Sequence, residues 1–423
     1  MAEDMFQQID AALDCDRMIQ FFKSVIAIPS PRFGEAQLAH HIGTFLNGIG
    51  AHVEYQSVVR GDRSTEQVIG RWGRDRGAKR IVLNAHLDAG SGQYQGLVFQ
   101  PEKWTKDPFK AVVEDGYIYG LGTHNDKQGI TSCVMALDAL AKAGAQVNGQ
   151  VIVACVVSET IGGVGGAELL KNDIDADVAV VAEGTGLDVV NTSVGKVRGR
   201  IFVKGEHAHH STHISPVENM RHLLEAFSPG YGVNFVKSFL THVPEPALPL
   251  APNAAIRWVM SDLKDLDRCM AFFDVVCVPS MTQDSVQADL ERALHAIQAR
   301  HPEFSFDLDM GGWEPPMSGN FGLGARPTPV DSDIVQCVAK HHTVVRGERP
   351  TIGAGRRYGA ASDAGSFRKA GIRTVEYGPG AIGPGGDLPA WPAVDERVKV
   401  QDVMDCIRVL ARSSYELANQ PRR

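Results

Sequence analysis

The run Ile81-Val-Leu-Asn-Ala-His86-Leu-Asp88-Ala-Gly90 is a short apolar strand that delivers a histidine, then a carboxylate two residues later, into a glycine turn. Side chains two apart on a strand share a face, so His86 and Asp88 act on one volume. An imidazole held by a carboxylate behind it suits a metal ligand. A lone His-x-Asp is more often a satisfied histidine at a strand end, so the surrounding chain has to decide.

Working outward, residues 5–26 carry apolar side chains at helical spacing and stop before Pro29-Ser-Pro31. A second helix over 35–46 ends at Gly48-Ile-Gly50. Strands are expected at 51–57, 67–72 and 80–86, with a brief one at 116–120. Beyond them, 129–143 reads as a small-residue helix, 150–157 as an apolar strand of the buried parallel type, 164–170 as a helix and 178–182 as a strand. This alternation indicates a doubly wound α/β sheet.

Past Gly195 the texture changes. Strands at 200–205, 272–279 and 304–310, with helices at 217–227 and 284–300, suit a small α+β domain inserted into the first. Asp284 is the expected N-cap of the second of these helices. The α/β pattern resumes with a helix over 331–346, a strand over 374–377 and a helix over 400–418. The expected domains are a catalytic one, 1–197 with 313–423, and an insert, 198–312.

A chain of 423 residues exceeds one ordinary core, and 43% hydrophobic with 22% charged residues describes a globular protein. A net charge of −8 argues against nucleic acid or an anionic membrane as the main partner. No apolar run approaches the roughly 18 residues of a membrane span, and the first residues lack a basic leader pattern. A cytoplasmic location is therefore expected. The seven cysteines are scattered without a Cys-x-x-Cys pair, which suits reduced, mostly buried thiols.

Four further stretches place polar groups where open α/β sheets build their sites. They are Gly120-Leu-Gly-Thr-His-Asn125-Asp126-Lys127-Gln-Gly129, Ser158-Glu159-Thr160, Ala182-Glu183-Gly184 and Gly205-Glu-His-Ala-His209-His210-Ser211. Any one of these carboxylates alone is more often a solvated group or a helix cap. Several on consecutive strand ends, beside a His-x-Asp, reverse that judgement.

With these motifs in order, the chain resembles the co-catalytic metallopeptidase superfamily of acetylornithine deacetylase, succinyl-diaminopimelate desuccinylase, aminoacylase and aminotripeptidase. Trp104-Thr-Lys-Asp-Pro-Phe109, Ser362-Asp363-Ala364 and Tyr377-Gly-Pro-Gly380 extend the match over nearly the whole chain. The resemblance implies a mixed-sheet catalytic domain with a ferredoxin-like lid that also dimerises. It implies His86 and Glu183 as ligands of a first metal, Asp88 as the residue orienting His86, and Glu159 as general base. His209 would be the lid histidine that reaches the partner subunit's site. His207 and His210 read as its flanking residues.

The departures are concentrated. Asn125 stands at the family's bridging aspartate, although Asp126 is adjacent. Thr160 stands at the second-metal glutamate, and Pro392 at the second-metal histidine, three residues before Asp395-Glu396. This pattern implies one divalent transition metal per subunit, Mn²⁺ or Zn²⁺, with Asn125 offering its carbonyl oxygen. A reduced site of this kind is similar to that of superfamily aminohydrolases that replace an aromatic amine by hydroxyl, 5-nitroanthranilate becoming 5-nitrosalicylate. An ordinary amidase, deacylase or peptidase is the alternative, and a catalytically inactive relative that binds a small carboxylate is a third reading. Arg357 and Tyr358 are candidates for gripping the substrate carboxylate, the bland reading being a solvated basic loop. His341 and His342, adjacent on a helix, are expected on a solvated face. The expected assembly is a homodimer or larger homo-oligomer.

Overall fold

The computed structural model describes residues 2–89, 101–172, 174–205, 215–228, 235–244, 251–262, 265–311, 320–354, 361–380 and 394–422. The chain divides into two compact units. The first comprises Met1–Ser193, Pro327–Tyr358 and Ser362–Arg423; the second comprises Val194–Arg326 and Gly359–Ala361.

The first unit is built on an eight-stranded mixed sheet. Its order is His52–Arg60, Arg63–Gly73, Gln150–Val156, Arg80–His86, Val178–Val181, Arg373–Glu376, Val189–Val190, Ile352–Gly353. The central four strands run parallel, and the first two are an antiparallel hairpin at one edge. Gln150–Val156 reads as a continuous apolar run because both of its faces are covered. Ile152, Ala154 and Val156 join Phe367, Leu169 and Val82 in one core cluster, while Val151, Val153 and Cys155 on the other face are also fully buried. The helix Lys127–Lys142 packs on the Arg80–His86 strand and against the helices Cys15–Ile26 and Val400–Leu417. Nearly all of its residues are buried, which explains its small side chains.

The second unit is α+β. Its antiparallel sheet runs in the order Asn253–Ser261, Arg268–Cys277, Gly195–Lys204, Ser305–Asp309, and Asn320–Phe321 also pairs with Gly195–Lys204. With helices Pro216–Phe227 and Gln283–Arg300 between strands, the chain order is β-α-β-β-α-β, which is the ferredoxin-like arrangement.

Several local expectations are corrected. The helix expected over 5–26 is two helices, Ala2–Ala12 and Cys15–Ile26, because Asp14 adopts an extended conformation and its side chain accepts the Arg17 backbone N–H. Asp284 is not the cap of its helix. Thr282 is, in a reciprocal capping box with Ser285. The strand Asn253–Ser261 and the short helix Asp363–Lys369 were not anticipated, the former because its outward face is largely exposed and breaks the apolar signal. His341 and His342 lie in the core rather than on a solvated face. His341 Nε2 meets Glu416 Oε2 at 2.7 Å, and His342 Nδ1 meets the Tyr377 hydroxyl at 2.9 Å. Six of the seven cysteines are buried and Cys15 is exposed. Among the described residues no helix is long and apolar enough to cross a membrane.

Candidate metal centre

Three neighbouring parallel strands supply the site from their C-terminal ends, the usual position in an open α/β sheet. Arg80–His86 delivers His86 and Asp88, Gln150–Val156 delivers Glu159 and Thr160, and Val178–Val181 delivers Glu183. The turn entering the helix Lys127–Lys142 adds Asn125 and Asp126. Gly129 lets this helix approach closely: a Cβ there would lie 2.4 Å from the Ala182 carbonyl oxygen. After Gln150–Val156 the chain folds sharply back into the helix Val164–Lys171, with Gly162 at φ 117° and Gly163 at φ 67°. Those angles suit glycine.

The ligand-type atoms converge. His86 Nε2 lies 3.2 Å from Asn125 Oδ1, 3.9 Å from Glu159 Oε2 and 3.9 Å from Glu183 Oε1. Ligands held about 2.1 Å from one small ion stand roughly 3.0–3.4 Å apart, so modest adjustment brings this set onto a single cation. His86, Asp88, Glu159 and Glu183 are all buried.

Asp88 lies behind this cluster. One oxygen contacts His86 Nδ1 at 3.2 Å and accepts the Glu159 backbone N–H at 2.8 Å. The other accepts the Thr160 backbone N–H at 3.1 Å and the Thr160 hydroxyl at 2.5 Å. Thr160 is therefore bonded to Asp88. Asp126 faces elsewhere too: it accepts the His86 backbone N–H at 3.1 Å and the Gln128 side-chain amide at 2.7 Å. Asn125 is the member of the pair whose side chain meets the His86 ring.

The electrostatics ask for a cation. Burial pushes Glu159 well above the usual carboxyl range; His86 offsets part of this, and the neighbouring charges Glu183, Asp363 and Asp88 add to it. Asp363 is pushed up to about 7, chiefly by burial, with His86 opposing and Glu183 and Asp88 adding. Burial disfavours charge on His86, but Asp88, then Glu159 and Asp126, hold its pKa well above the ordinary value. Burial alone would raise Asp88, and His86 outweighs it, leaving Asp88 below the usual range. One imidazole amid several buried carboxylates is poorly compensated charge, and a divalent ion supplies what is missing. The donor set, one imidazole nitrogen with carboxylate and amide oxygens, fits such an ion.

Two further buried acids lie at the site: Asp363, which the sequence offers only as part of the Ser362-Asp363-Ala364 motif, and Glu35, which it offers only as the start of a helix. Asp363, the first residue of the helix Asp363–Lys369, carries an Oδ1 without a hydrogen-bond partner among the described residues. Glu35, just before the helix Ala36–Gly48, accepts the Ser158 backbone N–H at 3.0 Å and the Ser158 hydroxyl at 2.9 Å, so it braces the turn that carries Glu159. Both sit where a carboxylate reads as an ordinary helix-start residue. Glu396, of the Asp395-Glu396 pair, accepts the Gly122 backbone N–H at 2.8 Å. His209, Arg357, Tyr358 and Pro392 lie outside the described residues.

Comparison with known proteins places these observations. Over 98% of its length the chain is 22% identical to the N-formyl-4-amino-5-aminomethyl-2-methylpyrimidine deformylase of Halalkalibacterium halodurans, of which it covers 97%. It is 24% identical to the acetylornithine deacetylase of Pectobacterium carotovorum over 71% of this chain and 77% of that one. The fold matches the di-peptidase Dug1p from Saccharomyces cerevisiae with a TM-score of 0.78 at 14% identity, covering 100% of this chain and 99% of that one. The profile of peptidase family M20/M25/M40 spans residues 82–416, from the His86 strand to the last helix. With the mixed sheet, the inserted antiparallel sheet and the His86 cluster in place, the chain belongs to peptidase family M20/M25/M40.

Proposed function

We propose that this chain is a hydrolase that uses a single divalent metal ion to attack a C–N bond of a small carboxylate-bearing substrate, releasing an amine or ammonia. The observation that carries the proposal is the convergence of His86, Asn125, Glu159 and Glu183 on one point, while Thr160 is tied to Asp88. His86, Glu183 and the Asn125 carbonyl oxygen are the ligands in this reading. A divalent ion bound there supplies Lewis acidity and makes water a competent nucleophile near neutral pH. Glu159, whose own carboxyl is held up by burial, takes the proton of the attacking water and hands it to the departing nitrogen. Asp88 fixes the His86 ring and, through the Glu159 and Thr160 backbone N–H groups, the position of the base.

The relatives support a formyl- or acyl-amine as the substrate class. A second reading is the activated aromatic amine, 5-nitroanthranilate going to 5-nitrosalicylate. It is favoured by Asn125 and Thr160 standing where the family pattern has second-metal carboxylates, because an activated ring carbon does not call for a second Lewis acid on a tetrahedral amide oxygen. In both readings His209 stabilises developing negative charge, and Arg357 with Tyr358 holds the substrate carboxylate. We also assign the inserted unit the roles of lid and homodimer contact.

The test is an assay of protein loaded with Mn²⁺ or Zn²⁺, with Glu159→Gln as control. Formylated and acylated amines are scored by amine release, and 5-nitroanthranilate by loss of its absorbance. Amine release by wild type and its loss in the variant are expected. Full activity in Glu159→Gln removes the base assignment. No turnover with either metal on any of these substrates overturns the hydrolase reading.

A further inference from the structure

The second unit carries another cluster of ligand-type side chains. His222 lies in the helix Pro216–Phe227, His301 caps the end of the helix Gln283–Arg300, and Glu303 follows two residues later. The two imidazoles stack with centroids 3.8 Å apart and planes 23° from parallel. Glu303 Oε1 lies 3.0 Å from His222 Nε2 and 4.0 Å from His301 Nδ1. One ligand atom from each residue falls within 4.8 Å of the others. Two imidazoles and a carboxylate form a ligand set typical of zinc, and side-chain adjustment of an ångström or so would bring the three donors onto one ion.

The surroundings hold this cluster in place. The Asn219 side-chain amide, about one helical turn before His222, donates to the Glu303 and Lys204 carbonyl oxygens at 3.0 Å each. Phe304 packs edge-on against the His222 ring. His222 is only 5% exposed, and its Nδ1 is buried without a hydrogen-bond partner among the described residues. A cavity of about 410 Å³, lined in part by His222, His301, Glu225 and Ser228, opens beside the imidazoles and has room for water at the remaining coordination positions. Two cationic side chains are near. Arg300 has its guanidinium over the Phe235 ring at 4.5 Å, and Arg221 Nε approaches His222 Nε2 at 3.4 Å, a contact that a metal ion would displace.

We infer that His222, His301 and Glu303 form a binding site for a Zn²⁺-like borderline divalent ion in the inserted unit, clipping the helix Pro216–Phe227 to the end of the helix Gln283–Arg300. The inference does not depend on the reading of the His86 centre.

The experiment uses the full chain, untagged and stripped of metal, titrated with Zn²⁺ alone against a chromophoric chelator. His86→Ala removes the other centre, so the decisive comparison is within that background. His86→Ala protein is expected to hold one tight equivalent of Zn²⁺. Adding His301→Ala, or the isosteric Glu303→Gln, is expected to weaken that equivalent by more than tenfold, in line with the loss of a direct ligand. Thermal unfolding followed in parallel should show Zn²⁺ raising the melting temperature of His86→Ala but not of the double variants. If His86→Ala holds no Zn²⁺, or if both double variants bind it as tightly as His86→Ala, the site is overturned. If His86→Ala binds as many ions as wild type, the His86 centre is misassigned, and the comparison with the double variants still judges this site.

Discussion

Asp88 shows how one carboxylate organises a site from behind. Its oxygens meet His86, Glu159 and Thr160, so a single side chain fixes the proposed ligand, the proposed base and the threonine beside it. Asp88→Asn keeps the shape but turns one acceptor into a donor facing those N–H groups. Metal affinity at the His86 centre should fall about 10- to 100-fold, read by chelator competition; unchanged affinity would count against the orienting role. Glu159→Gln should lower the turnover rate by about 10²- to 10⁴-fold while the protein keeps its metal, and a variant that loses both instead would make Glu159 a ligand. His86, Asp88, Glu159 and Glu183 were legible in the sequence because each follows an apolar strand whose burial is easy to read. Asp363 and Glu35 were not. A carboxylate at the start of a helix carries the same pattern whether it faces solvent or, as here, the interior.

The same limit governs the elements. The periodic segment Gln283–Arg300 could be read from apolar spacing and Lys127–Lys142 from its run of small residues. The break between Ala2–Ala12 and Cys15–Ile26 could not, since it depends on one capping side chain within a continuous periodic run. Asp14→Ala should therefore destabilise the first unit by about 1 kcal/mol, measurable by urea unfolding; no change would mean the cap contributes little. His341 was misjudged because its partner, Glu416, lies far along the chain on the last helix. That contact has a pH signature. Glu416 is pulled down to about 2, first by its hydrogen bond with His341 and then by Lys340, from an ordinary value near 4.5. A depressed carboxyl stabilises the fold above its unfolded pKa and loses that contribution as pH falls through the folded value. Glu416→Gln should thus flatten the acid dependence of stability between about pH 4.5 and 2, and parallel acid limbs for variant and wild type would refute the assignment.

At the scale of the molecule, the alternation of strands and helices and the change of texture near Gly195 were enough to expect an α/β sheet with a small α+β insert, the family resemblance added its ferredoxin-like form, and the sheet orders agree. Composition could not show how the strand ends converge, because the sheet order sets the His86 strand between the Glu159 and Glu183 strands, both of which come much later in the chain. A centre of buried carboxylates around one imidazole also makes a stability claim. A ligand that binds only the folded state at a hundred times its Kd adds about 2.7 kcal/mol. Chelation should therefore lower the melting temperature of the first unit reversibly, and insensitivity to chelator would argue against a resident ion.

The central claim is that the His86 centre takes one metal ion although the chain belongs to family M20/M25/M40. Elemental analysis of His301→Ala protein, in which the cluster of the inserted unit is broken, tests this most directly. One tightly held divalent ion per chain, lost on adding His86→Ala, is the predicted result. Two tightly held ions per chain, both lost on adding His86→Ala, would contradict it.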